Sequence, residues 1–251
     1  MQEQTTTQSV RDVAIVTGGR GSMGRVLCNT LARSGTLVVA ADVESSERGP
    51  DVEGVVNVDC DVRSQANVDS LFEFASGLGV VNAVVTCHGV IRPTPLDLIP
   101  PDDLTLVVDA NLGGVIRVCA AAARCLRSGS AIVNISSVVA SRGGSPGTVV
   151  YAATKAGIES VSRHYAVGLA SQGVRVNSIA PGFVEASMAG PGREIRSQLG
   201  DDLSSITSQV PLERLVTHQE IADLVLFLLS PAASSITGVL VPIDGGLLAR
   251  G

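Results

Sequence analysis

VAIVTGGRGSMGRVL, residues 13–27, runs from an apolar stretch through a glycine cluster into a segment with helical spacing. Val13–Val16 reads as a buried strand and Met23–Ser34 as the helix that follows it. Between them stand Gly18, Gly19, Gly21 and Gly24. Glycine permits a tight strand-to-helix turn and lets the backbone come close to a pyrophosphate. The helix N-terminus adds free N–H groups and the positive end of a dipole. Gly19, Gly21 and Gly24 fit a GxGxxG register. Thr17, Gly18 and Gly24 fit TGxxxGxG, with Ser22 in place of the middle glycine. The bland alternative is a tight turn that binds nothing.

The rest of the chain repeats this alternation. Leu37–Ala41, Val55–Val58, Val81–Thr86, Ala131–Ile135, Val174–Ile179 and Gly238–Ile243 read as further strands. Ser64–Ser76, Asn111–Leu126, Tyr151–Ser171 and Gln219–Leu229 read as helices. Strands that alternate with helices imply a parallel sheet covered on both faces by right-handed crossovers. The fold class expected is α/β, a doubly wound, parallel, seven-stranded sheet in one domain (residues 12–251) behind a flexible polar tail (residues 1–11). A long stretch rich in Gly, Ser and charge, about 182–217, follows a strand and reads as a substrate loop, because ligands of such sheets sit beyond the carboxyl ends of the strands.

Composition agrees with this and narrows the partners. Of 251 residues, 45% are hydrophobic and only six are aromatic, so the core must be built from Val, Ile, Leu and Ala. That suits strands buried on both faces. A net charge of −6 argues against nucleic acid or an anionic membrane surface as partner. No uninterrupted apolar run approaches membrane-spanning length. Five cysteines without metal spacing read as reduced thiols, so a cytoplasmic protein without a metal is expected.

Asp42 ends the second strand, twenty-four residues after Gly18. A carboxylate there accepts hydrogen bonds from an adenosine ribose and repels a 2′-phosphate, so NAD is expected in preference to NADP. Arg20 is the one nearby cation that argues the other way. YAATK, residues 151–155, holds the chain's only lysine; the other seventeen basic residues are arginine. Tyr151 and Lys155 share one helix face. A free phenol, with a pKa of about 10, is a poor acid or base near neutrality, and a neighbouring ammonium favours the phenolate. Tyr165, with Leu169 four residues on, is expected to pack. His164 and His218 carry no partner signal.

These motifs, in this order, resemble the single-domain, classical form of the short-chain dehydrogenase/reductase family over nearly all of Asp12–Gly251. Thr17–Gly24 is similar to its cofactor loop and Asp61-Val62 to its adenine-contacting pair. Asn111-Leu112-Gly113-Gly114 matches its asparagine helix motif, and Asn134-Ile135-Ser136-Ser137 its serine strand. Tyr151 with Lys155 matches its signature, and Arg175-Val176-Asn177, Pro181-Gly182 and Ile243-Asp244-Gly245-Gly246 also fit. The resemblance implies hydride transfer between NAD(H) and a secondary alcohol or ketone. Tyr151 would be general acid/base, Lys155 its electrostatic partner and ribose ligand, Ser137 the substrate-oxygen ligand (Ser136 the alternative), and Asn111 the anchor of a water relay. It implies cofactor contacts from Gly18, Arg20, Ser22, Met23, Gly24, Asp42, Asp61, Val62, Cys87, His88, Gly89, Tyr151, Lys155, Pro181, Gly182 and Val184, and a homotetramer.

Three positions depart from the family pattern: Ser22, Thr86-Cys87-His88 in place of Asn-Asn-Ala, and Ala186, followed by Ser187, in place of a cofactor-binding threonine. The expected lining segments Ile91–Leu98, Val138–Val150 and Phe183–Leu212, with Arg142, Arg193 and Arg196 nearby, do not select a substrate. A 3-oxoacyl thioester reductase and a catalytically silent NAD-binding regulator are the alternatives.

Overall fold

The inner apolar runs form strands whose β-branched residues bury both faces at once, while the two edge strands, Val55–Asp59 and Leu240–Ile243, are only partly buried. The computed structural model describes residues 11–43, 51–143, 146–185 and 203–250. Strand β1 (Asp12–Thr17) leads through the glycine turn into α1 (Ser22–Arg33) and β2 (Leu37–Asp42). Then come β3 (Val55–Asp59), α2 (Gln65–Leu78) and β4 (Val80–Thr86). Helix α3 (Pro101–Val107) runs through a π-helical turn (Val108–Gly113) into α4 (Gly114–Cys125), followed by β5 (Ala131–Ile135) and α5 (Val149–Leu169). Strand β6 (Arg175–Pro181), the short α6 (Leu203–Gln209), α7 (His218–Leu229) and β7 (Leu240–Ile243) complete the order.

All seven strands lie in one sheet in the order β3-β2-β1-β4-β5-β6-β7, every pair parallel. The order in which strands are added across the sheet reverses between β1 and β4, and in such sheets this switch point opens a crevice for ligand. Successive side chains on a strand point to opposite faces. Val13, Ile15 and Val39 therefore join α2, α4 and α5 in one core through Leu71, Val118 and Ile158. Ala14, Val16 and Val38 join α1 and α7 in the other through Leu27, Leu31, Ile221 and Val225. Each fully buried Leu or Ile contributes about 1.5–3 kcal/mol relative to exposure. Tyr165 packs against the first core as expected.

The helix expected to begin at Asn111 begins ten residues earlier, with Pro101 in its first turn and Asp102 and Asp103 favouring the positive dipole end. Joined through the π turn, Pro101–Cys125 is long and apolar enough to cross a bilayer by length and composition, with an 18-residue window of mean hydropathy 1.6. Half of it is buried inside the protein: Val107, Val115, Val118 and Ala122 face the core, and Arg117 and Arg124 pair with Asp109 and Asp69. Its apolarity is that of a helix lying on a sheet.

Two devices fix the C-terminal part. Thr217 and Glu220 form a reciprocal capping box at the start of α7. At its other end Arg175, buried on β6, donates to the carbonyls of Leu228, Leu229, Ser230 and Ile236 at 2.6–3.4 Å. The first three are the orphan acceptors of the helix end, and Ile236 lies in the loop beyond it. Arg175→Met is expected to lower stability by about 2–4 kcal/mol by stranding buried acceptors. Urea unfolding checks this, and a loss below 0.5 kcal/mol would mean that water replaces the guanidinium without cost.

Candidate active site

The glycine turn closes because two of its residues can be nothing else. Gly18 has φ +71° and lies under His88, where a Cβ would sit 2.6 Å from the His88 Cα; a Cβ on Gly24 would lie 2.0 Å from the Gly18 carbonyl oxygen. Helix α1 then starts at Ser22 with no side-chain cap and no acidic residue in its first turn, so its N–H groups are left for a ligand. Ser22 is exposed and Met23 half-buried, so the serine at the glycine position meets no clash in this backbone. A cavity of about 930 Å³ extends from Gly18 and Gly21 past Asp42, Asp61 and Val62 to Cys87, His88 and Gly89. These expected cofactor residues thus converge on one cleft at the carboxyl ends of the strands.

At the β2 end of this cleft, Asp42 accepts from the backbone N–H of Arg20 (3.0 Å) and of Val43 (2.9 Å). The Arg20 side chain is not the open cation that its place in the loop suggests. Its guanidinium is 1% exposed, paired with Asp59 at 2.5 Å and donating to the Val43 carbonyl at 3.2 Å. Its Nε is buried with no partner among the described residues. Asp61 lines the cavity but its carboxylate is gripped by Arg63, which holds it below the usual carboxylate range. Val62 is buried beside the π turn, against the space above Gly114.

At the other end, β5, the π turn and α5 meet. Lys155 is 3% exposed; its Nζ donates to the Ile135 carbonyl at 2.8 Å and lies 5.5 Å from the centre of the Tyr151 ring. Burial lowers its pKa to about 8, opposed by the Cys87 thiol. Between about pH 8 and the ordinary 10.5 the folded state therefore binds fewer protons here than the unfolded chain. Lys155 thus costs stability below pH 8, and the cost fades as pH rises. Asn111 is fully buried in the π turn, a form enriched at functional sites. Its amide accepts from the Val90 N–H (2.7 Å) and donates to the Val90 carbonyl (2.8 Å) and to Thr154 Oγ1 (3.3 Å). The space above the Gly89 Cα lies 3.4 Å from Asn111 Oδ1 and 3.7 Å from Lys155 Nζ.

The two serines differ in what they touch. Ser136 is 3% exposed, with Oγ 3.1 Å from the Lys155 carbonyl and 2.9 Å from Glu159 Oε1. Ser137 is half-buried, and among the described residues its Oγ accepts a single long bond, 3.4 Å, from the Val139 N–H. Ser136 is built into the wall, and Ser137 keeps a hydroxyl able to meet a ligand.

The altered strand end is largely structural. Thr86 donates to Asn134, which donates to Ser162 inside the core. His88 Nδ1 lies 2.6 Å from Thr17 Oγ1, while its Nε2 is buried without a hydrogen-bond partner among the described residues. Burial, and then Lys155, pull its pKa to about 3, so the ring is neutral. Burial pushes the Cys87 thiol up to about 12, so it is no nucleophile. Pro181 ends β6, Gly182 follows it, and Val184 bridges to Val216. Ala186, Ser187, Arg193, Arg196 and the rest of 186–202 in the expected substrate loop lie outside the described residues. Sequence reasoning missed Asp59, Thr154 and Glu159, which become legible only once the strand register and the α5 face are known. Among the described residues no cluster could hold a metal ion.

Residues 18–248 match a family model described as enoyl-(acyl carrier protein) reductase. The 3-oxoacyl-acyl-carrier-protein reductase of Chlamydia muridarum is 36% identical, over 95% of this chain and 98% of that protein. Carbonyl reductase family member 4 of Xenopus tropicalis is 32% identical, over 94% and 97%. A solved structure of a variant actinorhodin polyketide ketoreductase with NADPH superposes with a TM-score of 0.82, at 26% identity and over 94% and 97% of the two chains. With its cleft at the switch point and its glycine turn, the chain belongs to the short-chain dehydrogenase/reductase family of oxidoreductases.

Proposed function

We propose that the chain, as one catalytic domain from Asp12 onward, transfers hydride between NAD(H) and a secondary alcohol or ketone. In this reading Tyr151 exchanges the proton with the substrate oxygen. Lys155 stabilises the phenolate and holds the ribose, Ser137 binds the substrate oxygen, and Asn111 anchors the approach to Lys155 through the Val90 and Thr154 bonds. One observation carries it: the ammonium of the only lysine is buried against the face of Tyr151, held by the Ile135 carbonyl. The nicotinamide ring supplies the hydride chemistry when bound. The protein's residues would fit it: the uncapped start of α1 for the pyrophosphate, and Asp42 for the ribose of NAD.

A second reading is favoured by the relatives. The Chlamydia protein is named for reducing a 3-oxoacyl group on a carrier protein, and the ketoreductase structure contains NADPH. Under it the chain reduces 3-oxoacyl thioesters with NADP(H). Steady-state rates with NADH and NADPH, on acetoacetyl thioester and on simple ketones, separate the two. NADH turnover at least about tenfold better in kcat/KM is expected, a difference of about 1.4 kcal/mol. NADPH-only turnover of the thioester moves the assignment to the second reading, and no turnover with either cofactor points to a silent nucleotide-binding protein. A cytoplasmic setting is proposed from the five free thiols, and a homotetramer from exposed apolar residues such as Ile116 on α4 and Val167 on α5.

A further inference from the structure

Asp42 and Asp59 are the last residues of neighbouring parallel strands, and they are register partners across β2 and β3. Two carboxylates are thereby set side by side at the mouth of the cleft, and both line it. Arg20, from the glycine turn, answers this with its side chain and its backbone together. Its N–H bonds Asp42, while its guanidinium bonds Asp59 and the Val43 carbonyl. Arginine is a planar fork suited to grasping phosphate in two places at once. Here the fork is spent on Asp59, yet it is incompletely used: Nε is buried and bonds nothing among the described residues.

We infer that Asp59 is a specificity-determining residue: by holding the Arg20 guanidinium, it keeps this arginine from serving as a ligand for a 2′-phosphate and so favours the unphosphorylated dinucleotide. The inference rests on the proposed preference for NAD. Among the described residues, this corner sets two carboxylates against one guanidinium. It can accept a hydrogen bond from a ribose 2′-hydroxyl and repels a phosphate, which adds about −1.5 to −2 charges at neutral pH. Neutralising Asp59 removes one negative charge from the corner and the ion-pair partner of Arg20. The guanidinium then keeps only the Val43 carbonyl, and an arriving phosphate gives it a charge-assisted, two-point partner. Asp42 keeps its backbone bonds in either case. Asp59 therefore acts through Arg20 and need not touch the cofactor itself.

The test measures Kd for NADH and NADPH by nucleotide fluorescence on the full chain, for wild type, Asp59→Asn, Asp59→Glu, and Asp59→Asn combined with Arg20→Gln. Asp59→Asn is expected to shift the affinity ratio toward NADPH by about tenfold or more, as expected for a newly freed charge-assisted contact. Asp59→Glu, which keeps the charge, should leave the ratio close to wild type, and the double variant should lose the gain. An unchanged ratio in Asp59→Asn overturns the inference. So does an equal gain in Asp59→Glu, or a gain that survives the loss of Arg20. Should the Arg20 variant fail to fold, the contrast between Asn and Glu at position 59 still decides. Wild type that binds NADPH more tightly than NADH refutes the NAD preference separately, because the latch is read from the change in ratio.

Discussion

Tyr151→Phe is expected to lower kcat by about 10²–10⁴-fold, the range general acid–base groups contribute, while dinucleotide binding stays within about threefold. The substitution removes one oxygen and leaves the ring. The aromatic face near Lys155 Nζ survives, along with the ammonium's bond to the Ile135 carbonyl. What disappears is the group that can give or take a proton at the substrate oxygen. Single-turnover hydride transfer, followed by nicotinamide absorbance, checks it beside a binding titration. Ordinary turnover by the phenylalanine variant would show that the proton comes from elsewhere. The partner's role has its own signature in pH. In Lys155→Met the phenolate loses its neighbouring cation, so the alkaline rise of alcohol oxidation should move to higher pH. A profile unmoved by that change would mean that the ammonium does not act on the phenol.

Gly24→Ala is expected to be the most damaging single methyl in the chain's first half. Its Cβ would lie 2.0 Å from the Gly18 carbonyl oxygen and 2.8 Å from the Gly19 Cα, both backbone atoms of the turn itself. No side-chain rotation relieves that contact, so the turn or the start of α1 must move. Overpacking of this kind costs about 1–3 kcal/mol, and it displaces the N–H groups left for the pyrophosphate, so NADH binding should weaken by about 100-fold or more. Gly77→Ala supplies the opposite sign. Nothing lies within 4 Å of its added methyl on α2, and alanine is the better helix former by about 0.8–1.0 kcal/mol, so that variant should gain stability. Melting curves for the pair decide: if both shift the same way, the packing account of the turn is wrong.

Most strands and helices could be read from local pattern because burial on both faces selects β-branched runs and turns need glycine, both short-range effects. Helix α3 was missed although its signal was present: Pro101 followed by Asp102 and Asp103 marks a helix start, but no apolar stripe long enough follows before the π turn breaks the period. Ser136 and Ser137 could not be separated by spacing. In the fold their surroundings differ: Ser136 is buried against Lys155 and Glu159 on α5, contacts that depend on how β5 and α5 pack.

From its residue order alone, this protein has a parallel sheet, a glycine turn aimed at a nucleotide, and a tyrosine–lysine pair on one helix face. Each follows from steric preference and periodicity within a few residues. Only the folded chain decides what each charge meets. Arg20 and Asp59 stand 39 positions apart and form one ion pair because β2 and β3 end in register beside the turn. Lys155 becomes a titratable group near pH 8 because three distant segments exclude water from it. Electrostatic roles depend on distance through space and on desolvation, and neither is written in the local pattern.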